Sequence, residues 1–578
     1  MKLRVEIASS MCFRKLFPTL FAFVLLFSFG ISAGENATPT KLQCLLALTG
    51  DQPLAFIGVQ DIGTLPAKLS TTQLLQMYND PAYAQGSKQI DALLSLAFGA
   101  AASREFWDKA AKLATGPMVL ALTPEGSELP SGLWPTLHMV AVDENSAREL
   151  EKIWPSTAAD AGSSFVTIKL KTVLPKDLAT VQKIPEWAQR VKPSSDIAIG
   201  ASPRKAAAAL KSALRAEKIP GYDKEALADG KLLNAINLYT PPFESVTLNI
   251  ACDGSIFSDE LNIELPAKAD STFASLAGAL REKPHQWDSF LTNFPGKEDI
   301  ALLAQTDPAA LRETLPFAAQ AAECYLRGRR WTRSSSKSAE AQDPKRFQFI
   351  FDMLNGDVGI VAHPSRAGEV RVIVAAAVNS NETEATRTAL AEGLNSPVIG
   401  GAFHTMAAAD KIGAAAPLGT KVQTKGIFAS PVIGLSQQCL WLCSNAAIYQ
   451  DLAGTLAGEK NLKTITAADT SGFWRDENAV RMQVNLEKIA SLAYTIWTLS
   501  GQAGPAVGSW RIPNALLPTP QVVHGHLGGF RAALSRSSNM LNVSARCAVP
   551  GSSLLLLAVI QDVASAIDEA HAAPVIAK

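Results

Sequence analysis

Short apolar runs closed by proline punctuate this chain, and one of them occurs twice. GPMVLALTP at 116–124 and GDVGIVAHP at 356–364 each begin on glycine, carry an apolar stretch and end on proline, 240 positions apart. An apolar run of that length between turn residues predicts a buried strand. Its neighbours repeat in the same order. LAFIGVQDIGTL (54–65) lies over IALLAQTDPAAL (300–311), aligning Asp61 with Asp307 and Leu65 with Leu311. LHMVAVDENSARELEKI and VIVAAAVNSNETEATRTAL each read as a strand entering a helix, with Ser146…Glu149 and Asn381…Glu384 at capping positions. DIAIGASPRKAAAAL (196–210) over CLWLCSNAAIYQDL (439–452) repeats that theme. ESVTLNIACDGSIFSDELNIEL and GGFRAALSRSSNMLNVSARCAV predict β-hairpins, the first with Asp253-Gly254 as its turn.

Five pairs in one order predict a duplicated domain, because solenoid repeats are far shorter than this period. Each copy reads strand, helix, strand, strand, helix, strand, strand, helix, hairpin. Short links between successive strands favour antiparallel pairing, so the expected fold is α+β: two similar units of antiparallel sheet with helices packed on one face. The expected boundaries are a leader at 1–33, a linker at 34–49, a first unit at 50–268, a connecting helical segment at 269–297 and a second unit at 298–550. The second unit carries a basic, serine-rich stretch at 327–346 that reads as a solvated insertion. In the final segment, 551–578, the apolar run of SSLLLLAVIQDVASAIDEAHA is too short to span a bilayer. Beyond Asp562, Val563, Ile567 and Ala570 recur at helical spacing, which predicts a helix docked on the second unit.

Lys2, Arg4, Arg14 and Lys15 precede LFPTLFAFVLLFSFGI, and Ile31-Ser32-Ala33 follows: a basic region, an apolar region and a small-residue site. That pattern predicts a signal peptide and an exported protein, periplasmic or extracellular; an uncleaved anchor is the other reading of the same residues. With residues 1–33 removed, 49 basic and 52 acidic residues remain, a balance that gives no footprint for nucleic acid. Six cysteines remain as well: Cys44, Cys252, Cys324, Cys439, Cys443 and Cys547. An oxidising compartment permits disulfides, though six in so long a chain make no disulfide scaffold. Cys439 and Cys443 flank a strand-like Leu440-Trp441-Leu442, which would separate their Cα atoms by about 13 Å, too far to bridge.

DIGTLPAKLSTTQLLQMYNDPAYAQ, GPMVLALTP, LHMVAVDENSARELEKI and SSDIAIGASPRKAAAAL together resemble a class of large secreted bacterial proteins built on a domain of unknown function. The likeness covers most of 50–266 and, more loosely, 298–455, where the Asp-Pro pair is missing and the basic insertion intervenes. It implies a secreted strand–helix repeat protein and carries over no functional residue.

Candidate chemistry therefore stands on its own residues. Gly30-Ile31-Ser32-Ala33-Gly34 has the spacing of a nucleophile elbow but falls in the leader. Ser202-Pro203-Arg204-Lys205 matches S-x-x-K, a serine nucleophile with a lysine base, and Ser537-Ser538-Asn539 offers an S-x-N partner; no K-T-G triplet completes the set. Serine followed by proline is also a favoured helix opening, a structural role for Ser202. His524-Gly525-His526 is the metal candidate, since residues two apart on a strand share a face. Zinc would need a third ligand, from His138, His285 or His404 if the fold gathers them. There is no P-loop, dinucleotide fingerprint or EF-hand loop. His363 ends the repeated strand where Thr123 ends its partner, with no acidic partner expected nearby to tune the ring, so its expected role is structural.

The sequence thus points to an exported, non-enzymatic binding or scaffold protein with an unknown ligand or envelope partner. No catalytic, cofactor or metal residue is assigned. The alternative is an envelope hydrolase, metal-dependent through His524 and His526 or serine-type through Ser202 and Lys205.

Overall fold

The computed structural model describes residues 39–50, 53–98, 104–123, 135–154, 168–215, 243–266, parts of 277–310, 354–364, 370–378, short stretches between 403 and 511 that include 439–444 and 478–491, and 518–550. Contacts divide the chain into two units. The first gathers Met1–Pro266, Ala493–Phe530 and Met540–Lys578; the second gathers Ala267–Leu492 and Arg531–Asn539.

The first unit opens inside the expected linker, with helix α1 (Lys41–Ala47). Thr40 Oγ1 accepts from Gln43 N–H while Gln43 Oε1 accepts from Thr40 N–H, a closed capping box. Leu42, Leu45 and Leu46 are fully buried at helical spacing, which fixes the face α1 presents to the sheet. There follow β1 (Ala55–Val59), α2 (Leu65–Ser70), α3 (Gln73–Tyr78), α4 (Ala84–Phe98), α5 (Arg104–Leu113), β2 (Ala114–Leu122), β3 (Pro135–Ala141), α6 (Glu144–Ile153), β4 (Lys169–Val173), α7 (Pro175–Ala179), α8 (Glu186–Gln189), β5 (Ile197–Ala201), α9 (Pro203–Arg215), β6 (Ser245–Asp253) and β7 (Ile256–Glu264). Strands pair in the order β4–β3–β2–β1–β5–β6–β7. All pairs are antiparallel except β3–β4, which runs parallel across the α6 crossover.

Helices cover both faces of this sheet, a correction to the one-face expectation. Phe56, Val119, Ala121, Val140 and Ala198 pack with α1, Leu178 and Ala188 on one side. Leu137, Met139 and Ala141 pack with Ala110 of α5 and Leu150 of α6 on the other. Strands such as PTLHMVA are apolar on both sides, so neither face suits water. Two local details also differ. The cap of α6 is Asp143, whose Oδ1 accepts from Ser146 N–H at 2.7 Å. Asp253 pairs with Ile256, so the turn residues are Gly254 and Ser255, with φ +62° at Gly254 where a type II′ turn requires it.

The second unit contains α10 (Asp288–Leu291), β8 (Ile300–Gln305), β9 (Leu354–Pro364), β10 (Val370–Val378), β11 (Phe403–His404), β12 (Ala416–Lys421), β13 (Val432–Leu435), β14 (Cys439–Cys443) and β15 (Val480–Asn485). Its order is β15–β8–β9–β10–β14–β13–β12–β11, antiparallel throughout. The core is aromatic: Phe294 meets Phe290 edge-on at 5.1 Å and Trp441 at 6.1 Å, with Trp287 beside them. Cys44, Cys252, Cys439, Cys443 and Cys547 are all free thiols. Burial pushes Cys439 and Cys443 up to about 12, so neither is a nucleophile at neutral pH.

Some local features of the two units resemble one another. Gly116 and Gly356 both have positive φ; the Gly116 carbonyl accepts from Ile62 N–H at 3.0 Å and the Gly356 carbonyl from Thr306 N–H at 2.8 Å, a donor that the alignment sets over Gln60 and not over Ile62. Asp61 Oδ1 accepts from Gly63 N–H at 2.9 Å, as Asp307 Oδ1 does from Ala309 N–H at 2.8 Å. Ser202 N–H donates to Leu54 O at 2.9 Å, and Asn485 N–H to Asp299 O at 2.7 Å. The alignment of 196–210 with 439–452 does not agree with the placement of the two strands in their sheets. β5 flanks β1, but β14 pairs with β10, and the strand flanking β8 is β15. Arg481 and Gln483 interrupt the apolar run of β15, which hid it from a hydrophobic pattern.

Beyond β16 (Ala506–Val507) and β17 (Trp510–Arg511), the chain forms α11 (Pro520–His526), β18 (Gly529–Ser537) and β19 (Met540–Cys547). β19 pairs with β7 from Met540↔Glu264 to Cys547↔Phe257, so it belongs with the first unit and not with the 298–550 segment. The leader at 1–33, the insertion at 327–346, the cap at Asn381 and the segment 551–578 lie outside the described residues. Among the described residues no helix is long and apolar enough to cross a membrane.

Candidate functional site

In the first unit, residues of β1, β5 and β6 and the end of α8 line a small, partly open cleft with space for about one water molecule. Small residues at the end of β5 make room for it. A Cβ at Gly200 would stand 2.1 Å from Phe56 Cε1, so only glycine lets that ring lie across the strand. Phe56 in turn meets Trp187 with ring centroids 5.8 Å apart and planes at 55°. Gly200→Ala is expected to drive the Phe56 ring aside and cost about 1–3 kcal/mol, the usual penalty for overpacking. Thermal melting checks this, and Phe56→Leu in the same chain should restore most of the loss. An unchanged melting temperature in the single variant would show that the ring moves freely.

The polar side of the cleft is an arginine with its charge already matched. Arg190 Nη1 donates to Ser245 Oγ and, at 2.7 Å, to Glu264 Oε2; Ser245 Oγ donates to the same carboxylate at 2.6 Å. Burial pushes the Glu264 carboxyl up, but hydrogen bonds from Arg190 and Ser245 outweigh it and hold the group below its ordinary value. The loop after α8 is tied to β6 through Asn249 Oδ1, which accepts from Lys192 N–H and from Ser195 Oγ, each at 2.9 Å. None of these residues carried a motif. The signal available was Trp187 and Arg190 in one turn of EWAQR.

Ser202 lines this cleft and is 1% exposed. Its carbonyl accepts from Ala206 N–H at 2.8 Å, the N-cap position of α9, but its Oγ has no hydrogen-bond partner. Lys205 is exposed to solvent, so no Ser202–Lys205 hydrogen bond exists to activate the hydroxyl. The serine-hydrolase arrangement is not assembled.

The histidine candidate fails on local structure. His524 and His526 lie on α11, opened by Thr519 and Pro520, and not on a strand. Side chains two apart on a helix diverge by about 200°, so the pair cannot share one ion. His526 Nε2 instead contacts Asp80 Oδ2 at 3.2 Å. His138 is buried in β3, where burial, helped by Lys171, pushes its imidazole down to about 4. Among the described residues no group of three metal-ligating side chains forms.

Two histidines of the second unit meet aspartates. Arg281 Nη1 contacts His285 Nδ1 at 3.0 Å, and a guanidinium can only donate, so Nδ1 accepts and Nε2–H donates to Asp357 Oδ2 at 2.8 Å. Both ring nitrogens are committed, leaving none to serve as a base. Burial raises the Asp357 carboxyl above its ordinary value despite the opposing pull of His285 and Arg281. His363 Nδ1 stands 2.6 Å from Asp299 Oδ2, close but not aligned for a hydrogen bond. Asp299, 7% exposed, also holds Lys488 Nζ at 2.8 Å. An acidic partner therefore does lie beside His363, contrary to the expectation, brought from the start of β8 to the end of β9 by antiparallel pairing. His363→Thr is expected to cost only about 1 kcal/mol, since Lys488 still matches the carboxylate. Adding Lys488→Met leaves a buried anion unpaired and should raise the cost to about 3 kcal/mol or more, read by urea unfolding. Equal losses in the two variants would show that Lys488 contributes nothing.

No family model matches the chain, and no curated protein matches it. A search of solved structures finds similarity to a chain titled "Structure of crystal form I of TP0453", at 9% identity and a TM-score of 0.22, over 48% of this chain and 98% of that one.

Proposed function

We propose that this chain is an exported, non-enzymatic binding or scaffold protein built from a duplicated α+β unit. The observation that carries the reading is the state of the candidate catalytic groups. Ser202 Oγ is buried without a base, His285 has both nitrogens engaged, His524 and His526 diverge on a helix, and the thiols of Cys439 and Cys443 are held protonated. Candidate groups without a poised reactive atom suit binding better than turnover. Support for duplication comes from the positive φ at Gly116 and Gly356, the turns at Asp61 and Asp307 and the bonds of Ser202 to Leu54 and Asn485 to Asp299. Export rests on the leader's three regions.

Native mass spectrometry on protein taken from its own source tests the binding reading: a stoichiometric retained small molecule is expected. A metal retained stoichiometrically and lost in His526→Ala would favour the hydrolase instead. For export, N-terminal sequencing of the mature protein should begin at Gly34; a chain still carrying residues 1–15 would favour the anchor.

A further inference from the structure

We propose that two copies of this chain exchange β19, each strand completing the sheet of the other copy's first unit, to form a closed dimer. The interaction surface is the edge of β7. Phe257, Leu261 and Ile263 of β7 are at most 4% exposed, and they face Cys547, Val543 and Leu541 of β19. A long apolar edge of this kind is a template for pairing with another chain. The segment that fits it in register is β19, from the same copy or from a second one. Contacts along β7–β19 are the same in either arrangement, so the turn ahead of β19 decides between them.

That turn is short and strained. β18 ends at Ser537 and β19 begins at Met540, so Ser538 and Asn539 reverse the chain. Among the described residues Ser538 is the one non-glycine with positive φ, at +54°. In the β6–β7 turn the same position is held by Gly254 at φ +62°, a conformation that glycine adopts freely. For serine that region is disfavoured, and a short hinge under strain invites exchange. The division of contacts falls at the same point: Arg531–Asn539 groups with the second unit and Met540 onward with the first. Opening the turn into extended backbone removes the disfavoured φ from both copies. Buried polarity makes β19 easier to release. Asn262, fully buried, faces Asn542 across the strand pair, and neither Asn262 Nδ2, Asn262 Oδ1 nor Asn542 Oδ1 has a hydrogen-bond partner. Unpaired buried amides lower the net stability of that seam.

Sedimentation of the mature full-length chain, refolded at high protein concentration, tests the exchange. A species of twice the monomer mass is expected. Ser538→Gly should weaken its association about tenfold, by removing the strain that opening the turn relieves. Ser538→Pro, which cannot adopt positive φ, should strengthen it. Cross-linking identifies the interface, because residues facing across an antiparallel pair lie within disulfide reach. A chain carrying Asn262→Cys refolded under oxidant with a chain carrying Asn542→Cys should give a cross-linked heterodimer, above the level of the wild type or of either variant alone. A wild-type chain that stays monomeric at every concentration overturns the inference. Equal association by wild type and Ser538→Gly overturns it as well, and so does a dimer whose mixed variants give no added cross-link, since its interface then lies elsewhere. Should Ser538→Pro fail to fold, the comparison of wild type with Ser538→Gly decides.

Discussion

Gly356→Val is expected to destabilise the protein by about 4 kcal/mol, from a disfavoured backbone conformation and an unavoidable clash acting together. Gly356 has φ +101°, where a β-branched residue is strained, and a Cβ there would stand 2.0 Å from the Thr306 carbonyl oxygen. That oxygen cannot retreat cheaply, because it accepts from Arg281 Nε at 2.9 Å. Thr306 in turn donates to Gly356 O from its backbone at 2.8 Å and its hydroxyl at 2.6 Å. Arg281 Nη2 binds Asn355 O at 2.6 Å, so the whole clasp must shift together. Gly356→Ala should retain most of the loss, since the first carbon is the offending atom. Gly278→Ala, where nothing lies within 4 Å, should stay within about 0.5 kcal/mol of wild type. Denaturant midpoints at unchanged slope measure all three. A tolerated valine would mean that the strand start is looser than its bonds indicate.

Trp287→Ala should cost about 3–5 kcal/mol, the range for deleting a buried aromatic ring. Trp287 is 1% exposed, and its Nε1 donates to Asn478 O at 3.0 Å. The Arg481 guanidinium lies over the ring, 5.1 Å from its centroid. Removing the indole therefore leaves a cavity, an unpaired buried carbonyl and an arginine, itself 4% exposed, without its aromatic partner. Trp287→Phe keeps part of the volume and of the cation–π contact but loses the N–H, and should fall between alanine and wild type. Urea unfolding followed by circular dichroism ranks the three. A loss below about 1 kcal/mol for alanine would show that the second unit's core repacks around the gap.

How far the sequence could be read depends on how local each determinant is. The element order of the first unit was legible in part: its strands, α6, α9 and the β6–β7 hairpin follow from apolar runs, caps and turns that act within one element, but α7 and α8 between β4 and β5 were missed. Helix α1 was equally local and was overlooked: Thr40 and Gln43 form the box, yet the segment read as a linker because it precedes the repeat. The His524-Gly525-His526 misreading has the same origin, since Thr519-Pro520 announces a helix. The candidate site was legible only in Ser202. Phe56, Trp187, Arg190 and Ser245 carry no shared motif and come from three separate stretches.

By itself the sequence determined many of the strands and helices, the glycine that needs positive φ at the start of β9 and the failure of Cys439 and Cys443 to bridge each other, because each follows from the conformational preferences of a few consecutive residues. Tertiary structure decided that β15 and not β14 lies beside β8, that both faces of the first sheet are covered, that β19 joins β7, and that Asp299 meets His363. These outcomes depend on which distant surfaces fit and on the entropy of closing the loops between them. Neither quantity is written in the period of hydrophobic residues along a single strand.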